Sequence, residues 1–296
     1  MNRILFFIII AIYSSTYAQE MEPRSYSNIP TSANTVILSY AFSNGNIVSE
    51  ASSPLQDLDI TTHSTALVYM RTFGLFGMLS RVQATVPFVY LYGGAKLKGN
   101  DTTASRTGFA DIKLKFGINL LGSPAIAPKD FVRYQQTSIL GFSFVVSAPT
   151  GQYYEDKLIN LGTNRWGFKP EIGFSQRYKR IYFETFAGVW FFTVNKEYFK
   201  GNTLKQDPLF SIQGHLNYIF PSDVMLALDA AYVHAGQTTL NTFVRDDWMN
   251  DSYIGTTAVV PVAKGHMVRA QLRSSLNTKN SGSNYLLSLG YQYIWF

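Results

Sequence analysis

The chain has 296 residues, with 25 Lys and Arg against 19 Asp and Glu, a formal charge of +6 at pH 7 and a pI of about 9.3. It contains no Cys, which excludes disulfides, thiolate nucleophiles and Cys-ligated zinc or iron–sulfur sites together. Its basic residues are scattered instead of clustered, which argues against a nucleic-acid partner, and a charged fraction of 15% is too low for a disordered, solvating chain.

Residues 1–18 read as a signal peptide. Arg3 supplies the positive start, Ile4 to Tyr13 is an apolar run too short to span a bilayer, and Thr16-Tyr17-Ala18 offers small residues before a mature start at Gln19. No later stretch approaches the eighteen consecutive apolar residues of a helical membrane span. Residues 19–34 then lack any membrane pattern. Pro23, Pro30 and a run of Ser, Thr and Asn make Glu22–Asn34 extended and hydrogen-bonding. Arg24, Tyr26 and Asn28 are specific residues for a leader, so the segment is expected to fold into a barrel as a plug; a loose periplasmic tail is the alternative.

From residue 35 onward the pattern is period two. About twelve alternating segments follow: Thr35–Ser43, Thr61–Phe73, Ser80–Tyr92, Phe109–Leu120, Thr137–Ala148 and Trp166–Tyr178, then Ile181–Thr193, Leu209–Phe220, Val224–Ala235, Ser252–Val262, Met267–Asn277 and Asn284–Trp295. The fourth is the clearest. Ala110, Ile112, Leu114, Phe116, Ile118 and Leu120 alternate with Phe109, Asp111, Lys113, Lys115, Gly117 and Asn119. One oily and one wet face over about a dozen residues is twice the usual soluble strand and suits the wall of a transmembrane barrel.

Links between the segments alternate in length. Gly74–Leu79, Lys179–Arg180, Pro221–Asp223 and Ala263–His266 are tight; Asn44–Ile60, Gly93–Gly108, Pro149–Arg165, Asn195–Pro208 and Gly236–Asp251 are long and polar. Short periplasmic turns and long outer loops are the expected asymmetry. Leu121–Gln136 breaks it, and a short helix is expected there around Pro128. Tyr285 to Trp295 alternates to the chain end, with Phe296 one residue out of phase; such an aromatic last strand is the address read by the barrel-assembly machinery. The expected fold is therefore all-β, a transmembrane antiparallel up-and-down barrel of about twelve strands over 35–296. It contacts outer-membrane lipid of a Gram-negative bacterium, and the even strand count puts both termini in the periplasm. High aromatic content, with 19 Tyr, fits girdles at two membrane interfaces.

With the apolar register outward, the wet register lines the lumen. It carries Arg81 and Gln83, then Asp111, Lys113 and Lys115, then Lys169 and Glu171, Glu184, Asp229, and Arg269 with Arg273. An inward register is well determined, since a Lys or Arg facing lipid at the midplane costs about 2–4 kcal/mol. These charges form either an ion-pair network that fills the barrel or a constriction that selects solutes; the network is the favoured role for most of them. Arg71 is not assigned to either face. Pro170, outward between Lys169 and Glu171, predicts a bulge or local opening.

Catalytic signals are weak. Ser211 and His215 share the lumen register but lie roughly 13 Å apart along one strand, so a triad would need a Ser from elsewhere. No metal spacing, Walker loop or dinucleotide fingerprint occurs, and no cofactor is expected.

Several blocks occur in order: EPRSYSNIPTSAN at Glu22–Asn34, RTFGLFG at Arg71–Gly77, and SRTGFADIKLKFGINLLGSPA at Ser105–Ala125. GTNRWGFKPEIGFS at Gly162–Ser175, AGVWFFTVN at Ala187–Asn195 and QDPLFSIQGHLNY at Gln206–Tyr218 continue them. Together they resemble the bacterial meta-pathway of phenol degradation family. The resemblance implies an outer-membrane barrel taking up aromatic or other hydrophobic small molecules, and transfers no catalytic residue. A passive channel is the leading expectation, a filled barrel acting as an envelope or surface-interaction module the second, and an outer-membrane hydrolase the third.

Overall fold

The computed structural model describes residues 21–47, 55–97, 100–157, 159–278 and 283–296, so the signal-peptide expectation for 1–18 lies outside the described residues. The strands are β1 (Asn34–Ile47), β2 (Leu55–Leu75), β3 (Met78–Leu97), β4 (Asn100–Phe109), β5 (Lys113–Leu121), β6 (Ser138–Ser147), β7 (Gly167–Tyr178) and β8 (Ile181–Phe192). They continue with β9 (Asn195–Tyr198), β10 (Asn202–Gln206), β11 (Leu209–Ile219), β12 (Met225–Ala235), β13 (Thr238–Leu240), β14 (Phe243–Val244), β15 (Met249–Ala263), β16 (His266–Asn277) and β17 (Ser283–Trp295). The one described helix, α1 (Pro128–Phe131), has Pro in its first turn, where the missing N–H costs nothing.

Antiparallel pairing runs β2-β1-β17-β16-β15-β12-β11-β8-β7-β6-β5-β3, and β2 also pairs with β3, so the sheet closes. β4 continues the fourth wall strand above β5, which makes a barrel of twelve strands. Alternation decides which side chain meets which medium. In β12 every second residue is buried: Ala227, Asp229, Ala231 and Val233 point inward, while Leu226, Leu228 and Tyr232 point outward. The same outward register exposes Leu38, Leu67, Leu114, Ile172, Phe183, Ile254 and Leu287, an apolar band contributed by strands all round the barrel. In water so extensive a band would be an aggregation surface; in lipid it is the solvated face.

The short links are tight turns with left-handed residues. Phe76 and Gly77 have φ of 51° and 75°, the pair of positive values that a two-residue hairpin matching strand twist requires. Lys179, Asp223 and Gly265 play the same part in their turns. Arg71 pairs with Asn34 and is exposed, on the outward face near the turn end.

Two expectations are corrected. The fourth strand is not continuous, because residues 110–112 leave the ladder between β4 and β5. Across that break the facing shifts: Phe109 is exposed beside Phe88, and Ala110 is buried with Val89, Leu91 and Leu161. The cause is Asp111, whose carboxylate accepts Gly151 N–H (2.9 Å), Thr163 N–H (2.9 Å) and Thr163 Oγ1–H (2.7 Å) from the loop between β6 and β7. Second, four of the five long links carry strand: the ends of β1, β2, β3 and β4 run into Asn44–Ile60 and Gly93–Gly108, and Asn195–Pro208 and Gly236–Asp251 hold β9, β10, β13 and β14. The last four form a separate four-stranded sheet, β14-β13-β10-β9, with its own cluster of Tyr198 and Leu204. At Pro170, where a bulge or a local opening is expected, the structure has the opening. The β7–β8 pairing skips Lys169 and Pro170 and resumes in unchanged register.

Candidate functional site

The barrel interior is occupied by residues 21–33, which precede β1. Their partners come from strands on every side, so the segment lies within the closed sheet. Arg24 donates its main-chain N–H to Glu184 Oε2 (2.6 Å) and its guanidinium to Glu184 Oε1 (3.4 Å) and Gln136 Oε1 (3.0 Å), while stacking 3.8 Å over the Tyr182 ring. Glu22 accepts from Lys115 Nζ at 2.7 Å and donates its main-chain N–H to Gln213. Arg269 and Gln271 donate to the Met21 carbonyl at 3.0 and 2.9 Å. Arg81 donates to the carbonyls of Ser25 and Ser27, and Asn119 to that of Tyr26. Ser123 donates to Asn28 Oδ1 at 2.6 Å.

Tyr26 is buried, at 2% exposure. Its hydroxyl hydrogen-bonds Ser143 Oγ (3.0 Å) and Glu171 Oε1 (3.1 Å), and its ring lies 4.9 Å from that of Phe186. The slot exists because Gly141 and Gly173, directly paired across β6 and β7, have no side chain. A Cβ at either would stand 2.2 or 2.1 Å from the ring. Gly188 likewise makes room for Lys169, and Gly117 for Arg81.

The remaining inner charges also have partners among the wall side chains. Lys169 pairs with Glu171 at 2.5 Å beneath the Tyr26 hydroxyl. Asp229 lies away from the segment and bonds His215 Nδ1 (2.7 Å) and Thr257 Oγ1 (2.6 Å). Arg273 stacks over Tyr253 at 5.0 Å and donates to Asn284. Lys113 stands one row closer to the long loops than Lys115, opposite Thr85 and Ser147. Asp111 is the member that the structure removes from this group, since it braces the β6–β7 loop. His215 is fully buried, and its Nε2 faces Gln213 Oε1 at 3.1 Å in the place where a hydrolase would need a Ser hydroxyl.

The sequence pattern placed the charged residues, and Gln213 beside His215, on the inner register but missed the neutral partners Gln136, Ser143 and Gln271, and the slot glycines. Gly173 continues the register of Lys169 and Glu171, so its facing was legible; its pairing with Gly141 was not.

Burial alone would raise the Glu22 pKa from 4.5, but Lys115, with Lys169 and Arg269 behind it, holds the carboxyl well below that value. A lowered folded-state pKa stabilises docking above the unfolded value of 4.5 and is lost as pH falls through the folded value. Protease sensitivity of residues 21–33 should therefore be flat from about pH 6 to 8 and rise below about pH 4. In Glu22→Gln the segment should be more sensitive at neutral pH and show a smaller rise on acidification; an unchanged pH profile would remove Glu22 from the lock.

A closed twelve-strand barrel with an apolar outer band and a polar, occupied interior defines an integral β-barrel of the outer-membrane type. The chain belongs to the family described as "Putative MetA-pathway of phenol degradation", which matches it over residues 31–294. Its fold is similar to that of an outer membrane channel from Pseudomonas putida F1, with a TM-score of 0.79 at 20% identity over 93% of this chain and 100% of that one. Weaker likenesses join it to the translocator domain of the autotransporter NalP from Neisseria meningitidis (TM-score 0.54, 11% identity, 90% of each chain). The β domain of the Bordetella autotransporter BrkA follows (TM-score 0.53, 10% identity, 89% of this chain and 100% of that one). At these identities the likeness is one of fold. No curated protein matches the chain.

Proposed function

We propose that this protein is a passive outer-membrane channel for small aromatic or other hydrophobic compounds, and that residues 21–33 are its plug. The observation that carries the proposal is the carved wall. A barrel filled only for strength fills itself with wall side chains, whereas here Gly141 and Gly173 hold the wall back so that a separate segment fits. Polar contacts and ion pairs hold that segment, a type of lock that a modest change can open. Toward the long loops the inner wall carries two apolar clusters, one around Val89 and Leu91, the other around Trp190 and Val233. They suit a weakly polar solute, and the family's phenol association points to the same class.

Deleting Glu22–Ile29 tests this while leaving β1 and the Thr72 contacts of Ala33 in place. The deletion should raise single-channel conductance in planar bilayers and speed entry of a neutral aromatic compound into liposomes. The filled-barrel reading expects near-zero conductance in both forms, and a silent deletion variant with correct insertion shown separately would sink the channel. Ester or lipid hydrolysis abolished by His215→Ala would favour the hydrolase instead.

Loop asymmetry and even strand count support periplasmic termini. Single Cys residues in the β6–β7 loop should react with an impermeant reagent on whole cells, and Cys at Lys179 should stay silent. Labelling at 179 on intact cells would invert the orientation.

A further inference from the structure

The two ends of the barrel carry different charge patterns. At the loop end cations sit with acids: Lys157 pairs with Asp156 at 2.6 Å, Arg245 with Asp247 at 3.5 Å, and Lys196 precedes Glu197. At the turn end Lys129 and Arg133, in the link between β5 and β6, stand beside Lys179 and Arg180, in the turn between β7 and β8. The Thr137 carbonyl, where that link ends, accepts the Arg177 main-chain N–H at 2.9 Å, which sets the two segments side by side. All four side chains are exposed, and among the described residues no carboxylate pairs with any of them. Lys179 Nζ lies 5.5 Å from the centre of the Tyr178 ring and Arg180 donates to the Ile219 carbonyl at 3.5 Å, neutral contacts that leave both charges uncompensated. Asp130 is the one acid in either segment. Large apolar side chains border the patch. Tyr178 (67% exposed) and Leu121 (64%) are the last residues of β7 and β5, and Val132 (88%) follows α1. Tyr178 shares the outward register of Ile172 and Phe174, so Lys179 and Arg180 stand just beyond the lipid-facing band, at the depth of the headgroups.

We propose that this patch binds the headgroup of an anionic phospholipid, with Lys129, Arg133, Lys179 and Arg180 on the phosphate oxygens and Tyr178, Leu121 and Val132 against the acyl chains. Each cation held at an anionic lipid surface strengthens binding about fivefold, and guanidinium and ammonium groups make charge-assisted hydrogen bonds to phosphate. A zwitterionic headgroup brings an ammonium of its own, which the patch repels. The exposed apolar neighbours favour a lipid over a free phosphate, which has nothing to lay against them. The inference concerns the outer face of the barrel and holds whether or not the lumen conducts.

The test is native mass spectrometry of the protein folded in a neutral detergent and titrated with dioleoylphosphatidylglycerol or dioleoylphosphatidylcholine. The phosphatidylglycerol should bind at least about tenfold more tightly at low salt, and the difference should shrink as added salt screens exposed charges. A variant carrying Lys129→Gln, Arg133→Gln, Lys179→Gln and Arg180→Gln should lose the preference. One carrying Lys157→Gln, Lys196→Gln, Lys200→Gln and Lys205→Gln, the same change in charge at the loop end, should keep it. Equal affinity of the wild-type protein for the two lipids overturns the site, as does a preference that salt leaves unchanged. A folded turn-end variant that retains the preference, or a loop-end variant that loses it, moves the binding elsewhere and overturns the assignment. Glycerol phosphate at the concentration of the lipid should not displace it; displacement would make the ligand a free phosphate and overturn the lipid.

Discussion

Replacing Gly173 by Leu is expected to expel Tyr26 from its slot and open the lumen. The substitution puts a Cβ 2.1 Å from the ring, and the ring cannot yield because Gly141 and Phe186 close the slot's other sides. Removing a buried aromatic side chain from its site costs about 3–5 kcal/mol, and the Glu171 and Ser143 bonds are lost with it. The barrel sheet itself is spared, since pairing at 173 needs only main chain. Tyr26→Ala should release the segment without touching the wall. Both variants should raise conductance and leave strand content by circular dichroism unchanged. A Gly173→Leu barrel with wild-type conductance and a protected segment would show that the slot does not hold the plug.

The second large effect is on assembly. Leu114 is 52% exposed on the outward face of β5. Leu114→Arg places a charge in lipid at a cost of about 2–4 kcal/mol near the midplane, so the folded, heat-modifiable form should fall sharply in a membrane-insertion assay. Lys115→Gln, one residue on and inward, should insert normally. The sequence pattern makes that change a mild edit of a polar interior. The structure adds that it breaks the Glu22 pair and the contact to Ser25, so the segment should loosen while the barrel stands. Equal insertion of both variants would refute the facing of β5.

The outer architecture was readable from residue order because covalent geometry and solvent act locally. Side chains alternate along any strand, and a bilayer tolerates only apolar groups on one face. Hence Leu226, Leu228 and Tyr232 can be assigned outward, and Asp229 inward, without knowing any neighbour. The tight links and the Pro-led helix after β5 follow from equally local signals. The break at residues 110–112 did not, because its cause is distant: Gly151 and Thr163 satisfy Asp111 from another loop, and the alternation from Ala110 to Leu120 reads continuously through it.

What the interior contains was decided by the tertiary structure. The sequence by itself determined a strand-built membrane wall, its outward face and the sign of each inner charge, since these depend on one residue and its immediate neighbours. It also singled out Arg24, Tyr26 and Asn28. Only closure of the barrel chose their partners: Glu184 for Arg24, 160 residues away, and Glu171 for Tyr26, 145 away. Cross-strand register aligns Gly141 with Gly173 and sets Lys115 and Lys169 on either side of Val145. Register is a property of pairs of strands, set by closure, turns and packing together, so no single strand encodes it.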